Sequence, residues 1–200
     1  MQPSPPPVSR PKTPPDANQN DPVFFFKANE QNGAFCQWYP ATFTVTKQEM
    51  SDLVGHEIDP DDPWTPIYFN CAEQFMMYCK AGRFRDKTTQ QLILATKDPK
   101  EQKRIASKAK GFDAQSWDKI KSQVVVAGSI AKFEQNPKLR NLLLDTRDRL
   151  LVEAASEDRV WGIGLTAKEA MIPQNRKEWG ENRLGKALME ARKHLRDNRV

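Results

Sequence analysis

A helical pattern of apolar residues runs through Asn70-Cys71-Ala72-Glu73-Gln74-Phe75-Met76-Met77-Tyr78-Cys79-Lys80-Ala81. Its apolar side chains recur at i, i+3, i+4 and i+7, the positions of Ala72, Phe75, Met76 and Cys79. This spacing predicts an amphipathic helix that packs on a core and begins after Asn70 as its cap. Glu73 and Lys80 stand seven residues apart, so both point to nearly the same side of the helix.

This pair of charged residues has two interpretations. A carboxylate and an amine on one helix face can act on one substrate in a shared cleft. In the structural interpretation, Glu73 lies three residues after Asn70, where a Glu commonly bonds the backbone of the cap, and Lys80 is a solvated surface cation. Spacing alone favours the structural interpretation.

A second segment, Asp158-Arg159-Val160-Trp161-Gly162-Ile163-Gly164, combines an acid, an indole and two glycines. About twenty residues later, Trp179-Gly180-Glu181-Asn182-Arg183-Leu184-Gly185 adds another indole, an amide and a glycine. Such groups suit a nucleoside-like ligand, because an indole stacks on a base while polar groups hold its hydroxyls. Taken separately, each segment is also explained by core aromatic residues and turn-forming glycines.

Helical signals dominate the rest of the chain. Helix starts are predicted at Asp98-Pro99, Asp113, Asn136-Pro137 and Thr166, and a last helix from about Asn182. Short strands are predicted at residues 23–26, 43–46 and 150–152, and a loop at residues 59–63. The predicted fold class is mainly α, within α+β: a single compact helical domain with a few short β-strands.

Composition bounds the domain organisation and the location. The first 22 residues contain 8 of the 15 prolines, which predicts a disordered, proline-rich arm over residues 1–22 and a folded domain over residues 23–200. The chain has no apolar run long enough for a bilayer and no secretory signal, so we expect a cytoplasmic or nuclear location and no membrane partner. The net charge of +5 is compatible with a phosphorylated small molecule.

Cysteine and histidine are too few to form a zinc-binding pattern. The chain contains Cys36, Cys71, Cys79, His56 and His194. The cysteines are expected as buried free thiols, and neither a metal nor another cofactor is expected. Because histidine is scarce, any chemistry must depend on carboxylates or lysine.

Several segments, taken in chain order from about Phe26 onward, resemble the NADAR family, also called YbiA-like. The matching segments are residues 68–81, Lys110-Gly111-Phe112-Asp113 with Trp117, Ala131-Lys132-Phe133 with Asn136-Pro137, Leu151-Val152-Glu153-Ala154, residues 158–164, and Asn182-Arg183-Leu184-Gly185. Gln37 and Trp38 depart from the usual family pattern, and residues 47–63 look like an insertion. The resemblance implies the YbiA-like type of helical fold.

The resemblance further implies an N-glycosidase that hydrolyses the bond between ribose C1 and a base nitrogen. Its implied substrates carry an ADP-ribosyl or ribosyl-phosphate group. The preferred one is ADP-ribose attached to guanine, in a nucleotide or in DNA, since these 200 residues include no fused biosynthetic partner. Aminopyrimidine ribosyl phosphates of riboflavin synthesis are the alternative substrates, and a non-catalytic ADP-ribose-binding module is the alternative class.

The site residues combine this resemblance with a hypothesis for cleavage of the ribosyl C–N bond. The catalytic candidates are Glu73, Lys80 and Asp158; the carboxylates would stabilise the cationic sugar, activate water or protonate the leaving nitrogen, and the lysine would form a Schiff base with an opened ribose. The substrate-binding candidates are Trp117 and Trp161, which would stack on the base or flank the ribose, and Gly162, Gly164 and Gly185, whose backbone N–H groups would contact phosphate. Asn182 would bond ribose hydroxyls or a phosphate, although an ordinary helix cap explains it equally well.

Overall fold

The computed structural model describes residues 21–198. The predicted proline-rich arm therefore lies outside the described residues, apart from Asp21 and Pro22. The helices are α1 Lys47–Val54, α2 Ala72–Arg83, α3 Lys87–Ala95, α4 Pro99–Ala106, α5 Ala114–Glu134, α6 Pro137–Asp145, α7 Ala167–Ala170 and α8 Arg183–Asp197. The strands are β1 Val23–Phe25, β2 Phe43–Thr46, β3 Pro66–Phe69 and β4 Leu151–Glu153. Across residues 21–198, no helix is both long enough and apolar enough to cross a membrane.

Helices α2, α5 and α8 form the centre of the domain, and two small sheets cover it. Strands β1 and β4 pair in parallel, whereas β2 and β3 pair antiparallel with Phe43 opposite Phe69. Phe75 of α2 packs its ring against both of these side chains, with centroid distances of 6.0 and 5.2 Å. The mainly α prediction with a few short strands is thus confirmed, because the amphipathic helices bury their apolar faces against one another.

Local capping signals predicted helix starts correctly where a side chain bonds its own helix. Asp98 accepts a hydrogen bond from the backbone of Lys100, and Asp113 accepts one from that of Ser116. Thr166 and Glu169 form the predicted capping box of α7. In each case the partners lie within three residues, so the signal is readable without tertiary information.

The predicted cap of α2 was wrong. The cap residue is Cys71, and the Asn70 side chain instead bridges to the α4 region: its amide donates to the Lys97 carbonyl at 2.8 Å and its oxygen accepts from Gln102 at 3.2 Å. A tertiary contact has thus replaced the local bond. The change moves Glu73 to the second helical position, outside the capping-box position that the structural interpretation required.

The segment predicted to be an insertion contains a packed helix. Helix α1 begins with a capping box between Thr46 and Glu49 and buries Met50 and Val54 completely. The Thr-x-x-Glu signal for this helix was present in the sequence. Strand β3 and helix α3 were not predicted either, whereas the loop over residues 59–63 was correct.

Gly185 allows α8 to lie against β4. A methyl group added here would stand 2.1 Å from the backbone oxygen of Leu151, which cannot move without disturbing the strand. We expect Gly185→Ala to lower the free energy of unfolding by about 1–3 kcal/mol, the usual effect of overpacking. Thermal denaturation measures this loss, with Lys186→Ala on the exposed side of the same helix as the control. Equal melting temperatures for both variants would contradict the close packing.

Candidate active site

Glu73 is a buried acid near the start of α2, with 6% of its surface exposed. Its backbone N–H donates to the Gln37 carbonyl at 3.1 Å, which joins α2 to the segment before β2. Burial raises the pKa of Glu73 to about 7, while Lys103, the indole N–H of Trp38 and Lys80 act in the opposite direction. A carboxyl group with this pKa exchanges protons readily at neutral pH.

Lys80 lies further along the same face of α2. Its Nζ stands 4.4 Å from the ring centroid of Phe112, whose side chain is 45% exposed. Partial burial lowers the pKa of Lys80, with Lys103 acting in the same direction and Glu73 opposing both. The structure therefore brings Glu73 and Lys80 within range of each other's charge, together with an additional cation on α4.

The residues before β2 form a lip over Glu73, which we define as residues 33–40. Trp38 of the lip is 42% exposed and turns its indole N–H towards Glu73. Lys132 of α5 fixes the lip through two hydrogen bonds: its Nζ donates to the carbonyls of Ala34 and Cys36 at 2.8 and 2.9 Å. Complete burial lowers the pKa of Lys132 to about 7. The two residues at which the sequence departs from the family pattern thus lie at the edge of the site.

Two acids of the β4 region, Glu153 and Asp158, lie close enough to act on each other's charge, and Glu153 is also within range of Glu73. Glu153 ends β4; burial, together with the charges of Asp158 and Glu73, raises its pKa to about 7 against the opposing charge of Lys103. Asp158 uses its Oδ1 to accept hydrogen bonds from the backbones of Val160 and Trp161, both at 2.8 Å. The Asp158 carboxylate therefore shapes the turn that carries Trp161, a half-buried indole with Lys121 Nζ 5.7 Å from its centroid.

Other predicted binding residues are engaged within the protein. The Asn182 amide donates to the Leu151 carbonyl at 2.9 Å, and its oxygen accepts from the Glu153 backbone at 3.0 Å. The Gly164 N–H is shared between the carbonyls of Ala155 and Asp158. These contacts tie the turn to β4 and α8, so the geometry supports structural roles for Asn182 and Gly164. Their roles in substrate binding stay predictions.

The remaining three predicted binding residues lie in close packing. Gly162 is buried, and a methyl group there would stand 2.8 Å from the Glu153 carbonyl oxygen. Gly185 packs on β4 as described above. Trp117 is only 7% exposed in the main core, so most of its ring is unavailable for stacking in this conformation.

Trp38, Lys103 and Glu153 were missed by the sequence reasoning. Glu153 had a readable signal, since it is an acid directly after the buried Leu151 and Val152 of a strand. Trp38 was noted only as a departure from the family pattern. Lys103 had no signal, because an exposed lysine on a helix is ordinary until α4 packs against α2.

Comparison with known proteins gives a consistent result. The sequence model of the NADAR domain matches residues 24–196. The chain is 36% identical over 177 residues to N-glycosidase R617 of Acanthamoeba polyphaga mimivirus, covering 85% of this chain and 94% of that protein. The NMR structure of the Escherichia coli protein YbiA matches with a TM-score of 0.64 and 25% identity, covering 90% of this chain and 88% of that one.

A riboflavin biosynthesis protein of Vibrio vulnificus, VVA0006, is 24% identical over 177 residues, which cover 88% of this chain and 39% of that protein. The match to R617 covers most of this chain and nearly all of that protein, and the structural match confirms the YbiA-like helical fold. By its sequence and its fold, this chain belongs to the NADAR family.

Proposed function

We propose that this chain is an N-glycosidase that hydrolyses the bond between ribose C1 and a base nitrogen, with ADP-ribosylated guanine as its preferred substrate. The observation that carries the proposal is the pairing of buried Glu73 with half-buried Lys80 on one face of α2, beneath the exposed indole of Trp38. The relatives R617 and YbiA, both named N-glycosidases, support the same reaction type.

The site suits the charges that develop in this reaction. Cleavage of a ribosyl C–N bond builds positive charge at C1 and negative charge on the departing nitrogen. Ionised Glu73 would stabilise the cationic sugar or remove a proton from the attacking water. Lys80 and Lys103 lower the pKa of this carboxyl and so favour its ionised form against the effect of burial.

Lys80 provides a second route to the same products. An amino-linked ribose can open to an imine, which a neutral amine attacks to form a Schiff base. Because burial and Lys103 both lower the pKa of Lys80, a larger fraction of its amine is neutral at physiological pH. The contact of Lys80 with the Phe112 ring keeps the ammonium or amine at the cleft rather than in bulk solvent.

The spread of aromatic side chains supports a substrate with two bases. Trp38 lies beside Glu73, and Phe112 lies beside Lys80, two helical turns or about 10 Å further along α2. An ADP-ribosylated guanine has two bases separated by its ribose and diphosphate groups, so each ring could take one base. Lys103 would lie near the negatively charged diphosphate.

A ribosyl phosphate of riboflavin synthesis is the alternative substrate, and the name of the Vibrio vulnificus relative favours it. Such a substrate has one base and would need only one aromatic face. Binding of ADP-ribosylated guanine should therefore depend on Phe112, whereas binding of the ribosyl phosphate should not.

A substrate panel tests the proposal. We expect purified protein to release free base from ADP-ribosylated guanine in a mass-spectrometric assay, and Phe112→Ala to raise KM for this substrate by about tenfold through the loss of about 1–1.5 kcal/mol of stacking. The control variant is Leu142→Ala, an equally exposed apolar residue on α6. A KM effect confined to Trp38→Ala would favour the one-base substrate. Thermal stabilisation by ADP-ribose without any turnover would instead favour a binding module.

A further inference from the structure

Cleavage of an N-ribosyl bond requires a proton donor for the departing nitrogen. Besides Glu73, the acids Glu153 and Asp158 lie in this part of the molecule, with Glu153 within range of the charges of both Asp158 and Glu73. Asp158 is already engaged, since its Oδ1 accepts two backbone hydrogen bonds at 2.8 Å. Replacing these bonds during the reaction would open the turn that carries Trp161. Asp158 is therefore better suited to holding this turn than to donating a proton.

Glu153, unlike Asp158, has a buried carboxyl oxygen, Oε2, that accepts no hydrogen bond from the described residues 21–198. The residue is fixed in place from its backbone, because its N–H donates to Asn182 and the next residue, Ala154, donates to the Phe25 carbonyl of β1. A buried carboxylate oxygen without a partner is unfavourable when charged, whereas a protonated carboxyl avoids most of that penalty.

The charged groups near Glu73 differ from those near Glu153, and this difference favours different protonation states for the two carboxyl groups. The charges of Asp158 and Glu73 raise the pKa of Glu153 and that of Lys103 lowers it, while Glu153 in turn raises the pKa of the nearby Cys36 thiol. Glu73 faces two cations, Lys103 and Lys80, as well as an indole N–H donor. Both acids titrate near neutrality, but their neighbours favour the proton on Glu153 and the negative charge on Glu73.

We propose that Glu153 is the general acid of the site and that Glu73 is its carboxylate partner, an inference that rests on the proposed function. The C1–N bond breaks, and its electron pair goes to the nitrogen, which takes the proton of the Glu153 carboxyl. The oxygen of a water molecule bonds to C1, and a proton of that water passes to Glu73. Proton exchange with solvent then returns both groups to their starting states.

The experiment compares two leaving groups in Glu153→Gln. Guanine must be protonated to leave, whereas the nicotinamide of NAD⁺ leaves as a neutral molecule without a proton. Both compounds present the same ADP-ribosyl group. We expect Glu153→Gln to lose about 100-fold or more in kcat for ADP-ribosylated guanine, the usual contribution of a general acid, and to keep the wild-type rate on NAD⁺. Glu134→Gln, an exposed acid on α5, is the matched control.

Several outcomes would overturn the assignment. An equal loss on both compounds would mean that Glu153 only supports the fold. Selective loss on guanine in Asp158→Asn, which keeps the Oδ1 acceptor, would make Asp158 the acid. If Glu153→Gln does not fold or NAD⁺ is not cleaved, the test is the pH dependence of guanine release by the wild-type protein. A general acid with this pKa requires the release rate to fall above about pH 7, and a rate that does not change with pH overturns the proposal. A wild-type protein that releases no base from any N-ribosyl compound would refute the proposed function itself.

Discussion

Glu73→Gln is expected to lower the rate of base release by about 10²–10⁴-fold, the range usual for an acid–base residue, while the circular dichroism spectrum stays that of the wild type. The amide has nearly the same shape as the carboxyl but can neither carry the negative charge that stabilises the cationic sugar nor accept a proton from water. Single-turnover release of guanine from an ADP-ribosylated substrate measures the effect on chemistry.

The same variant should be more stable than the wild type at high pH. The pKa of Glu73 is raised from 4.5 to about 7 in the folded protein, so ionisation above pH 7 destabilises the folded state by up to about 3 kcal/mol. Below pH 4.5 the group is protonated in both states, and this penalty disappears. Glu73→Gln should therefore raise the melting temperature at pH 8 and leave it nearly unchanged at pH 4.

These two measurements separate catalysis from structure. A merely structural Glu73 would lose stability together with activity on substitution, whereas a catalytic one should lose activity and gain stability. Glu57→Gln is a suitable control, since it removes a carboxylate from an exposed position outside the cleft. Full activity in Glu73→Gln would remove this residue from the mechanism.

Lys80→Arg is the second change with a large expected effect. If the Schiff-base route operates, base release should fall by on the order of 10³-fold or more, as for other covalent nucleophiles. Arginine keeps the positive charge and the ring contact with Phe112, but its guanidinium stays protonated and cannot attack an imine. The variant therefore removes nucleophilicity while retaining the charge.

Borohydride reduction reports directly on this route. Wild-type protein incubated with substrate should yield a covalent adduct that mass spectrometry locates at Lys80, and Lys80→Arg should yield none. The control variant Lys119→Arg, on the exposed side of α5, should form as much of the reduced covalent adduct as the wild type. Loss of the adduct with retained turnover would show that water attacks directly and that Lys80 serves only through its charge.

Much of the helical fold was predictable because its signals are local. The side chains of Asp98 and Asp113 bond backbone groups within three residues, so helix starts could be placed from the sequence. Helix α1 carried an equally local signal in the capping box of Thr46 and Glu49, within the segment predicted to be an insertion. The cap of α2 was not predictable, since Asn70 bonds partners 27 and 32 residues away.

The sequence by itself determined that Glu73 and Lys80 share one face of a helix, because helical geometry relates residues seven apart whatever surrounds them. Only the tertiary structure decided what those residues face. Trp38, Lys103 and Glu153 are separated from Glu73 by 30 or more residues along the chain, yet Lys103 and Trp38 lower the pKa of Glu73, and Glu73 raises that of Glu153. The near-neutral pKa values of the two glutamates arise from burial, and the burial of a side chain depends on the packing of the whole domain.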